Sequence, residues 1–581
     1  MANTTGGAII AQMLAAEGVE KIFGIVDGTY LQMIKACVEE GMELITPRHE
    51  SVAAQMAGAY ARLTGKLGVC IASNGPGVAN MLAGVAVEQV EGNRVLLITS
   101  SRRGAITYPD RGGAYQCFDQ VGVIGAMSKY SACADTAGRI PELLRAALRA
   151  AWDGRPGVVH LDVPENVING ECKPLGLPAP ASYRSTAPLA PDPEQVKQAA
   201  YLLANAALPM IHAGSGIIHA QAYEELAQLA ELLQAPVTTS WGARGVLSED
   251  SPLAWPMVHI KAVNALRNEA DVALVLGSEL GETDWWGKPP YWAPWDKQKM
   301  IQVDIDPEIL GRIRPADLLV AADVKEFMKA LIAELEGRSM PLAERQAKIE
   351  KLAQEKAKDR AKLDEKLNDT GSPLMTAQVG AVCGKVLDPD AVYVFDGGNT
   401  AVWGNFYVNL TTPGCQLGTH HMGHLGAGTG QALGAAVARP GAQVVCITGD
   451  GAMGFHPQEL ETAVRHGLKV IFIVCADQQW GMVKINQSFA LHPVQTMLKK
   501  SLDPEKTFGT ELGPIAWEEL AFSLGAFGAK ASDPQSLEEA LKAAVEQPLP
   551  AVIHVEVDPV KHMWAPGLIH FKAMHQEPKG R

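Results

Sequence analysis

The chain has 581 residues, more than one hydrophobic core usually serves, so two to four domains are expected. Hydrophobic residues make up 47% of the chain and charged residues 20%, which is the composition of a globular protein. A formal net charge of -14 without any Lys/Arg run argues against nucleic acid as a partner.

The N-terminal stretch "MANTTGGAIIAQMLAAEGVEKIFG" has no basic segment followed by a long apolar core, so it does not have the form of a signal peptide. No uncharged apolar run approaches the ~20 residues of a membrane span. The nine cysteines are scattered without CxxC spacing, which is typical of a reducing compartment. We therefore expect a cytoplasmic protein without a membrane partner.

Apolar, β-rich runs alternate with helical patterns along most of the chain, which indicates parallel sheets covered by helices. In residues 1–180 the predicted strands are "KIFGIV", "ELITPR", "LGVCIAS" and "RVLLITS". The stretches "SVAAQMAGAYARLTG" and "ANMLAGVAVEQV" are predicted helices between them. Residues 1–180 therefore form a first α/β domain.

The Pro/Ala-rich stretch 174–195 has too little periodicity for packed structure and is predicted to be a linker. A second α/β domain is predicted for 190–340, with the strands "LPMIHAGSG", "APVTTS", "DVALVLGSEL" and "KMIQVDID".

The charged stretch 341–372 carries Leu, Ile and Ala at helical spacing. Its mixed charges favour a solvated connecting helix over a helix that binds nucleic acid or a partner protein. A third α/β domain is predicted for 373–560, and a tail, 561–581, closes the chain. The predicted fold class is α/β with three doubly wound parallel-sheet domains.

The stretch "VVCITGDGAMGF" runs an apolar strand into Gly449, Asp450 and Gly451. Ligands of open α/β sheets collect at the carboxyl ends of strands, and glycines let the backbone approach a bound group. A second apolar run, "KVIFIVCAD", ends on Asp477, 27 residues after Asp450, which fits one strand-helix-strand crossover. Adjacent carboxylates repel unless a cation lies between them, and Mg²⁺ combines protein oxygens with phosphate oxygens. The pair therefore indicates a metal-bridged diphosphate, whereas GDG alone would better fit a tight turn with a surface Asp.

The stretch "GDGAMGF" followed by "CADQQWGM" resembles the cofactor motif of thiamine-diphosphate-dependent enzymes of the acetolactate synthase-like (pyruvate oxidase/decarboxylase) superfamily. 2-Hydroxyacyl-CoA lyases and benzaldehyde lyase are related to it. "RHESVAAQMAGAYARLTGKLGVCIASNGPGVAN" is similar to its pyrimidine-binding domain, and "MIQVDIDPEILGR" and "RGVLSEDSPL" resemble its central domain. "DGGNTAVW" and "HMGHLGAGTGQALGAAVA" resemble its diphosphate-binding domain. The resemblance covers nearly the whole chain and implies that thiamine diphosphate is the cofactor.

The resemblance implies that Glu50 hydrogen-bonds the aminopyrimidine ring of the cofactor and shifts it to the imino tautomer, which removes the thiazolium C2 proton. From the residues alone, Glu50 would be a helix-capping or surface carboxylate. "YQCFDQVG" resembles a segment in which Gln116 reaches the active site of the partner subunit, and an exposed structural Gln is the alternative.

For the metal, the resemblance implies that Asp450, Asp477 and the carbonyl of Gln479 are Mg²⁺ ligands, with Asp477 in place of the usual Asn. Glu50 and these three residues also belong to the cofactor-binding set, together with Gly398, Asn399, Thr400, Gly423, Leu425, Gly449, Gly451, Ala452, Gly481 and Met482. Gly451 and Ala452 would offer backbone amides to the diphosphate at a helix start. Gly423 and Leu425 would receive the aminopyrimidine and support the bent cofactor, and core packing is the alternative for Leu425.

His420, His421 and His424 cluster beside this last segment, but their spacing does not fit a zinc site. A role of one histidine as acid or base toward substrate is a hypothesis beside a purely structural role.

The stretch "GETDWWGKPPYWAPWDK" stands where FAD-binding acetolactate synthases usually carry an Arg-rich segment, so FAD is expected to be absent. Its aromatic side chains are expected in packing or an interface rather than in a binding wall. The tail could fold over the site as a lid or remain a surface tail. In a surface tail Trp564, Leu568 and Phe571 would be exposed at some cost, so we expect the tail to dock.

The superfamily cleaves 2-oxo acids or 2-hydroxy carbonyl compounds and passes the resulting carbanion to an acceptor. Our first interpretation is a carbon–carbon lyase or carboligase close to acetolactate synthase, acting on a 2-oxo acid such as pyruvate. The alternatives are a 2-hydroxyacyl-CoA lyase or benzaldehyde lyase-like enzyme and, outside the enzymes, a catalytically silent regulatory or scaffold homologue. Because Glu50 and the metal residues lie in different domains, the resemblance places the cofactor between subunits of a homodimer or homotetramer.

Overall fold

The computed structural model describes residues 3–107, 115–500 and 504–574. Three six-stranded parallel sheets, each flanked by helices, confirm the predicted α/β fold class. Both faces of these sheets are covered, because alternate residues of one strand enter different cores. Cys70 and Ala72 pack into a core that the N-terminal domain shares with the C-terminal domain, while Val69 and Ile71 pack into a core of the N-terminal domain itself.

The strands of the N-terminal domain are β1 (Thr4–Thr5), β2 (Lys21–Gly24), β3 (Glu43–Ile45), β4 (Gly68–Ala72), β5 (Val95–Ser101), β6 (Tyr130–Cys133), β7 (Val158–Pro164) and β8 (Glu171–Cys172). Its helices are α1 (Gly6–Ala16), α2 (Leu31–Glu39), α3 (Glu50–Thr64), α4 (Pro76–Glu91), α5 (Gly104–Thr107), α6 (Gln120–Gly125), α7 (Ile140–Trp152) and α8 (Glu165–Ile168). The sheet order is β3-β2-β4-β5-β7-β6, and β1 pairs antiparallel with β8.

The strands of the central domain are β9 (Pro209–Ala213), β10 (Val237–Thr239), β11 (Ala254–Trp255), β12 (Val272–Leu276), β13 (Lys299–Asp304) and β14 (Leu318–Ala321). Its helices are α9 (Pro193–Asn205), α10 (Gly216–His219), α11 (Tyr223–Leu233), α12 (Ile260–Glu269) and α13 (Val324–Leu335). The order β11-β10-β9-β12-β13-β14 is that of dinucleotide-binding sheets, whose ligand crevice lies between the two middle strands, here β9 and β12.

The strands of the C-terminal domain are β15 (Val392–Phe395), β16 (Gln416–Gly418), β17 (Val444–Gly449), β18 (Val470–Ala476), β19 (Phe527–Ala531) and β20 (Ala551–Glu556). The helix α14 (Leu342–Asp364) precedes this domain, and the helices that follow are α15 (Ala377–Val386), α16 (Asn399–Tyr407), α17 (Ala427–Ala438), α18 (Asp450–Met453), α19 (Glu459–Arg465), α20 (Gly481–Leu491), α21 (Pro493–Lys499), α22 (Trp517–Ser523), α23 (Pro534–Glu546), α24 (Pro559–Met563) and α25 (Leu568–Met574). The order β16-β15-β17-β18-β20-β19 repeats that of the N-terminal domain.

The predicted linker 174–195 is mostly irregular up to Pro193, where α9 begins, but it packs on the N-terminal domain, which the sequence did not suggest. Arg184 Nη2 donates to the buried carboxylate of Glu17 at 2.7 Å, and its guanidinium lies 4.5 Å from the centroid of Trp152. These contacts show that the prediction that the stretch lacks packed structure was wrong. The reason is that polar anchors of this kind leave no periodic apolar signal in the sequence.

The charged stretch forms α14 as predicted, and one face of this helix is buried on the central domain. Arg345 is fully buried and donates to the carbonyls of Leu203, Ala206 and Leu233. These carbonyls lie at the C-terminal ends of α9 and α11, where a cation complements the helix dipoles. None of the described helices is both long and apolar enough to cross a membrane.

The tail docks through its described residues. Trp564 Nε1 donates to the carbonyl of Lys500 at 2.7 Å, Leu568 is 5% exposed, and the His570 ring lies 4.6 Å from that of Trp285 in the central domain. The side chain of Phe571 and residues 575–581 lie outside the described part of the chain. Docking is thus seen, whereas a lid role stays a prediction.

The N- and C-terminal domains meet where α3 crosses α17. A Cβ added to Gly434 of α17 would lie 2.5 Å from the carbonyl oxygen of Met56, and one added to Gly430 would lie 2.7 Å from Gln55 Cβ. The absence of side chains at these two positions therefore allows the two backbones to approach closely.

The substitution Gly434→Val is expected to destabilise the protein, because its side chain would overpack the α3–α17 contact at a cost of about 1–3 kcal/mol. Thermal unfolding followed by circular dichroism should show a lower midpoint. Gly384→Ala is the control, since Gly384 lies within α15 and an added Cβ meets no atom within 4 Å. A Gly434→Val variant as stable as this control would contradict the packing argument.

Candidate functional site

The predicted carboxylate pair lies at one edge of the C-terminal sheet. β17 and β18 pair in register, with Gly449 opposite Cys475, so Asp450 and Asp477 follow neighbouring strand ends. Asp450 is 7% exposed, and it accepts backbone N–H bonds from Gly451 at 2.9 Å and Gln478 at 2.8 Å. Burial and the charge of Asp477 raise the pKa of Asp450, and burial raises that of Asp477. The pair therefore needs a cation or a proton to be stable.

Gly398, Asn399 and Thr400 occupy the end of β15, which neighbours β17. The strand order reverses between β15 and β17, so this is the place where an open α/β sheet binds its ligand. Asn399 is 4% exposed, and neither Nδ2 nor Oδ1 has a hydrogen-bond partner in the described part of the chain. A buried amide of this kind costs free energy unless a ligand or water satisfies it.

Gly481 lies next to Asn399 and Asp477. A Cβ added to Gly481 would lie 2.7 Å from Asn399 Nδ2 and 3.0 Å from Asp477 Oδ2. A Cβ added to Gly398 would similarly lie 3.0 Å from Met482 Cβ. The structure thus brings together predicted residues from the loops that follow β15, β17 and β18, and the glycines leave space where these loops meet.

Gln479 is anchored at several points. Its Nε2 donates to Asp477 Oδ2 at 3.1 Å, its Oε1 accepts from Lys484 Nζ at 2.9 Å, and its carbonyl accepts from Gly481 N at 2.9 Å. Lys484 is buried and also bonds Glu511. Sequence reasoning missed Lys484, whose only signal was a basic residue in a weakly amphipathic helix just after the motif.

The segment 419–425 contains Gly423 and Leu425 and leads into α17. Gly423 has φ +62°, and its N–H donates to the carbonyl of Thr419 at 2.8 Å. The next residue after Leu425, Gly426, would place an added Cβ 3.4 Å from the carbonyl oxygen of Ala452 in α18. The segment therefore lies beside the helix that starts at Asp450.

Asp396 anchors the end of this segment, and sequence reasoning missed it. Its buried carboxylate accepts N–H bonds from Gly426 at 3.0 Å and Gly428 at 2.9 Å. The available signal was an Asp directly after the apolar run "VYVF", the same pattern that identified Asp450.

Glu50 and Gln116 lie in the N-terminal domain, on either side of the loop after β4. Asn80 Nδ2 donates to Glu50 Oε2 at 3.0 Å, a contact the sequence did not reveal. The carbonyl of Gln116 accepts from Asn74 Nδ2 at 3.0 Å, and an added Cβ at Gly75 would lie 2.7 Å from Gln116 Cα. Within the described residues of one chain, no hydrogen bond or ion pair joins Glu50 or Gln116 to the Asp450 site.

The three histidines have different surroundings. His420 Nε2 lies 2.9 Å from Gln416 Nε2, His421 Nδ1 lies 3.1 Å from Glu91 Oε2, and the His424 ring lies 6.4 Å from Phe455. In the described ranges no three His, Cys, Asp or Glu side chains are grouped to hold a metal ion. A divalent ion at Asp450 and Asp477 would therefore need backbone and ligand oxygens as well.

A second cavity, of about 660 Å³, opens at the β9–β12 crevice of the central domain. Gly214 and Gly216 approach Gly277 so closely that an added Cβ at either would lie within 2.6 Å of its backbone. Residues 281–284 of the aromatic stretch line one wall. Trp285 and Trp292 of this stretch are buried, with Trp285 stacked on Tyr291 at 3.6 Å, whereas Trp295 is exposed.

Comparisons with known proteins agree with this arrangement. Three family models of thiamine pyrophosphate enzymes match the chain. The N-terminal TPP binding domain matches residues 4–123, the central domain 196–331 and the C-terminal TPP binding domain 396–555. A probable acetolactate synthase large subunit of Methanocaldococcus jannaschii is 30% identical over 570 residues, 96% of this chain and 92% of the relative. An acetolactate synthase large subunit of Mycobacterium tuberculosis is 30% identical, covering 95% of this chain and 96% of the relative. The isozyme 2 large subunit of Escherichia coli is 28% identical, covering 96% of both. The chain therefore belongs to the thiamine-pyrophosphate-dependent enzymes of the acetolactate synthase-like family.

Proposed function

We propose that this enzyme is a carbon–carbon lyase or carboligase that acts on a 2-oxo acid such as pyruvate. The observation that carries the proposal is the buried, unpartnered amide of Asn399 beside the Asp450–Asp477 pair, at the switch point of the C-terminal sheet. A diphosphate with its metal ion supplies much of what these groups lack, namely acceptors for the N–H groups of the amide and a cation for the carboxylates. The acetolactate synthase relatives support pyruvate as the substrate.

The residues present fit Mg²⁺ and thiamine diphosphate. Asp450, Asp477 and the Gln479 carbonyl would hold the metal, and Gly451 and Ala452 would donate backbone N–H groups at the start of α18. When bound, the thiazolium ring supplies the electron sink for cleavage of a bond beside a carbonyl. The protein contributes orientation and exclusion of water, and it would hold the proton of the aminopyrimidine on Glu50.

Asn80 orients the Glu50 carboxylate through its bond to Oε2, which leaves Oε1 free to face the cofactor. Glu50 makes no described contact with the metal residues of its own chain, which supports a site completed by a second subunit. We therefore propose a homodimer or a homotetramer with two-chain active sites. The cytoplasmic location stays a prediction.

A 2-hydroxyacyl-CoA lyase is the second candidate, because the central cavity lies at the crevice of a dinucleotide-type sheet, where the nucleotide part of a thioester substrate would fit. The expectation that FAD is absent stays a prediction, because both arginines and carboxylates line this cavity, among them Arg155, Arg312 and Asp306.

The substitution Asp450→Ala is expected to abolish binding of thiamine diphosphate, because it removes a metal ligand. Asp477→Asn should retain binding, because the amide oxygen still ligates and Asn is usual in the family. Titration calorimetry with thiamine diphosphate and Mg²⁺ tests both. Normal binding by Asp450→Ala would show the metal assignment to be wrong.

Purified protein with thiamine diphosphate and Mg²⁺ should convert pyruvate to acetolactate, and Glu50→Gln should lose at least about 10²-fold in rate because proton transfer fails. Pyruvate, a 2-hydroxyacyl-CoA and benzoin would be offered separately, with products identified by mass spectrometry. Glu39→Gln, a change at an exposed residue of α2, is the control. Cleavage of the thioester or of benzoin without pyruvate turnover would favour the lyase candidate. No uptake of cofactor would favour a silent homologue.

Size-exclusion chromatography coupled to light scattering should find a dimer or tetramer, and activity per subunit should fall on dilution below the dissociation constant. The reason is that Glu50 and the metal site would come from different subunits. A stable monomer with full activity would refute the two-chain site.

A further inference from the structure

Two buried carboxylates bracket the segment 419–425. Asp396 holds its C-terminal end through the N–H groups of Gly426 and Gly428. Glu91, the last residue of α4 in the N-terminal domain, holds the other end. Its Oε1 accepts the N–H of His421 at 2.8 Å and that of Met422 at 3.0 Å. Gly423 to Leu425, predicted to contact the cofactor, lie between the two anchors.

Without a partner, a charged Glu91 side chain at this position would destabilise the folded protein. The side chain is 3% exposed and stands at the C-terminal end of α4, where the helix dipole is negative and disfavours a carboxylate. Burial would raise its pKa, but the hydrogen bond and charge of His421 outweigh burial and lower that pKa to about 2. In return, the bond to Glu91 raises the pKa of His421. The described hydrogen bonds to this carboxylate all come from His421 and Met422.

Glu88 lies one turn earlier in α4 and differs from Glu91 in its hydrogen-bond partner and in the direction of its pKa shift. It is fully buried and bonds Asn93 Nδ2 in its own domain. Burial raises its pKa to about 8, against that hydrogen bond. The pKa values of these two neighbouring carboxyl groups thus shift in opposite directions, and of the two, only Glu91 bonds the segment 419–425 in the described part of the chain.

We propose that Glu91 is a positioning residue, which fixes the backbone of His421 and Met422 so that Gly423 and Leu425 receive the aminopyrimidine ring of thiamine diphosphate. The inference rests on the proposed function and deepens it. Because the anchor comes from the N-terminal domain of the same chain, it also ties the packing of that domain to the shape of the cofactor site in the C-terminal domain.

Removal of the carboxylate leaves two amide N–H groups without their acceptor, so the segment would relax away from the cofactor. Glu91→Ala should raise the thiamine diphosphate concentration for half-saturation at least about tenfold, the loss expected for hydrogen bonds to a charged group. Glu91→Gln keeps the volume and one acceptor, so a smaller increase, about threefold or more, is expected. Glu88→Gln, which resembles a protonated Glu88, should stay within about twofold of the unchanged protein.

The full-length protein with saturating Mg²⁺ would be titrated with thiamine diphosphate, followed by tryptophan fluorescence and by activity, with thermal unfolding in parallel. A purely structural role would lower the unfolding midpoint without changing the half-saturating concentration, and that result would overturn the proposal. If Glu91→Ala does not fold, Glu91→Gln decides, and half-saturation equal to that of Glu88→Gln overturns the proposal. If the unchanged protein binds no thiamine diphosphate, the proposed function itself fails, and this inference falls with it.

Discussion

The repulsion between two buried carboxylates at adjacent strand ends is the constraint on which the site depends. Asp450 and Asp477 are carried to one edge of the sheet by the paired strands β17 and β18, whose ladder ends with Gly449 opposite Cys475. The buried ammonium of Lys484 bonds Gln479 and Glu511, and no ion pair from it to either carboxylate is seen among the described residues. The protein thus builds a site of excess negative charge that a divalent ion and its diphosphate would neutralise.

The strand order of the sheets explains which other groups lie near the crevices where ligands bind. The C-terminal sheet reverses its strand order between β15 and β17, so the loop with Asn399 opens beside Asp450. The N-terminal sheet has the same order, and its corresponding crevice, at the ends of β2 and β4, opens where Glu50 and Gln116 lie. The central sheet reverses between β9 and β12 and places a separate cavity there. The rule that ligands bind where the strand order of an open α/β sheet reverses therefore accounts for the Asp450 site, for the Glu50 site and for the central cavity.

Much of this could be predicted from the sequence, because it depends on local patterns. Apolar runs ending on Asp or Gly indicated the strands and the edge of the sheet, and the 27-residue spacing indicated that Asp450 and Asp477 are neighbours. The contacts that the sequence did not reveal are long-range and polar. Glu91 bonds a segment 330 residues away, and Arg184 anchors on Glu17 across 167 residues. Such pairs leave no periodic signal, since Glu91 and Glu17 alone are ordinary glutamates at helix ends and their partners lie in irregular segments.

The central claim is that the carboxylate edge binds thiamine diphosphate only together with a divalent ion. Titration calorimetry of the purified protein with thiamine diphosphate, in Mg²⁺ and in excess chelator, tests it most directly. The account predicts saturable binding with Mg²⁺ and none measurable in the chelator. Equal affinity under both conditions would contradict it, because the Asp450–Asp477 pair would then have no part in holding the diphosphate.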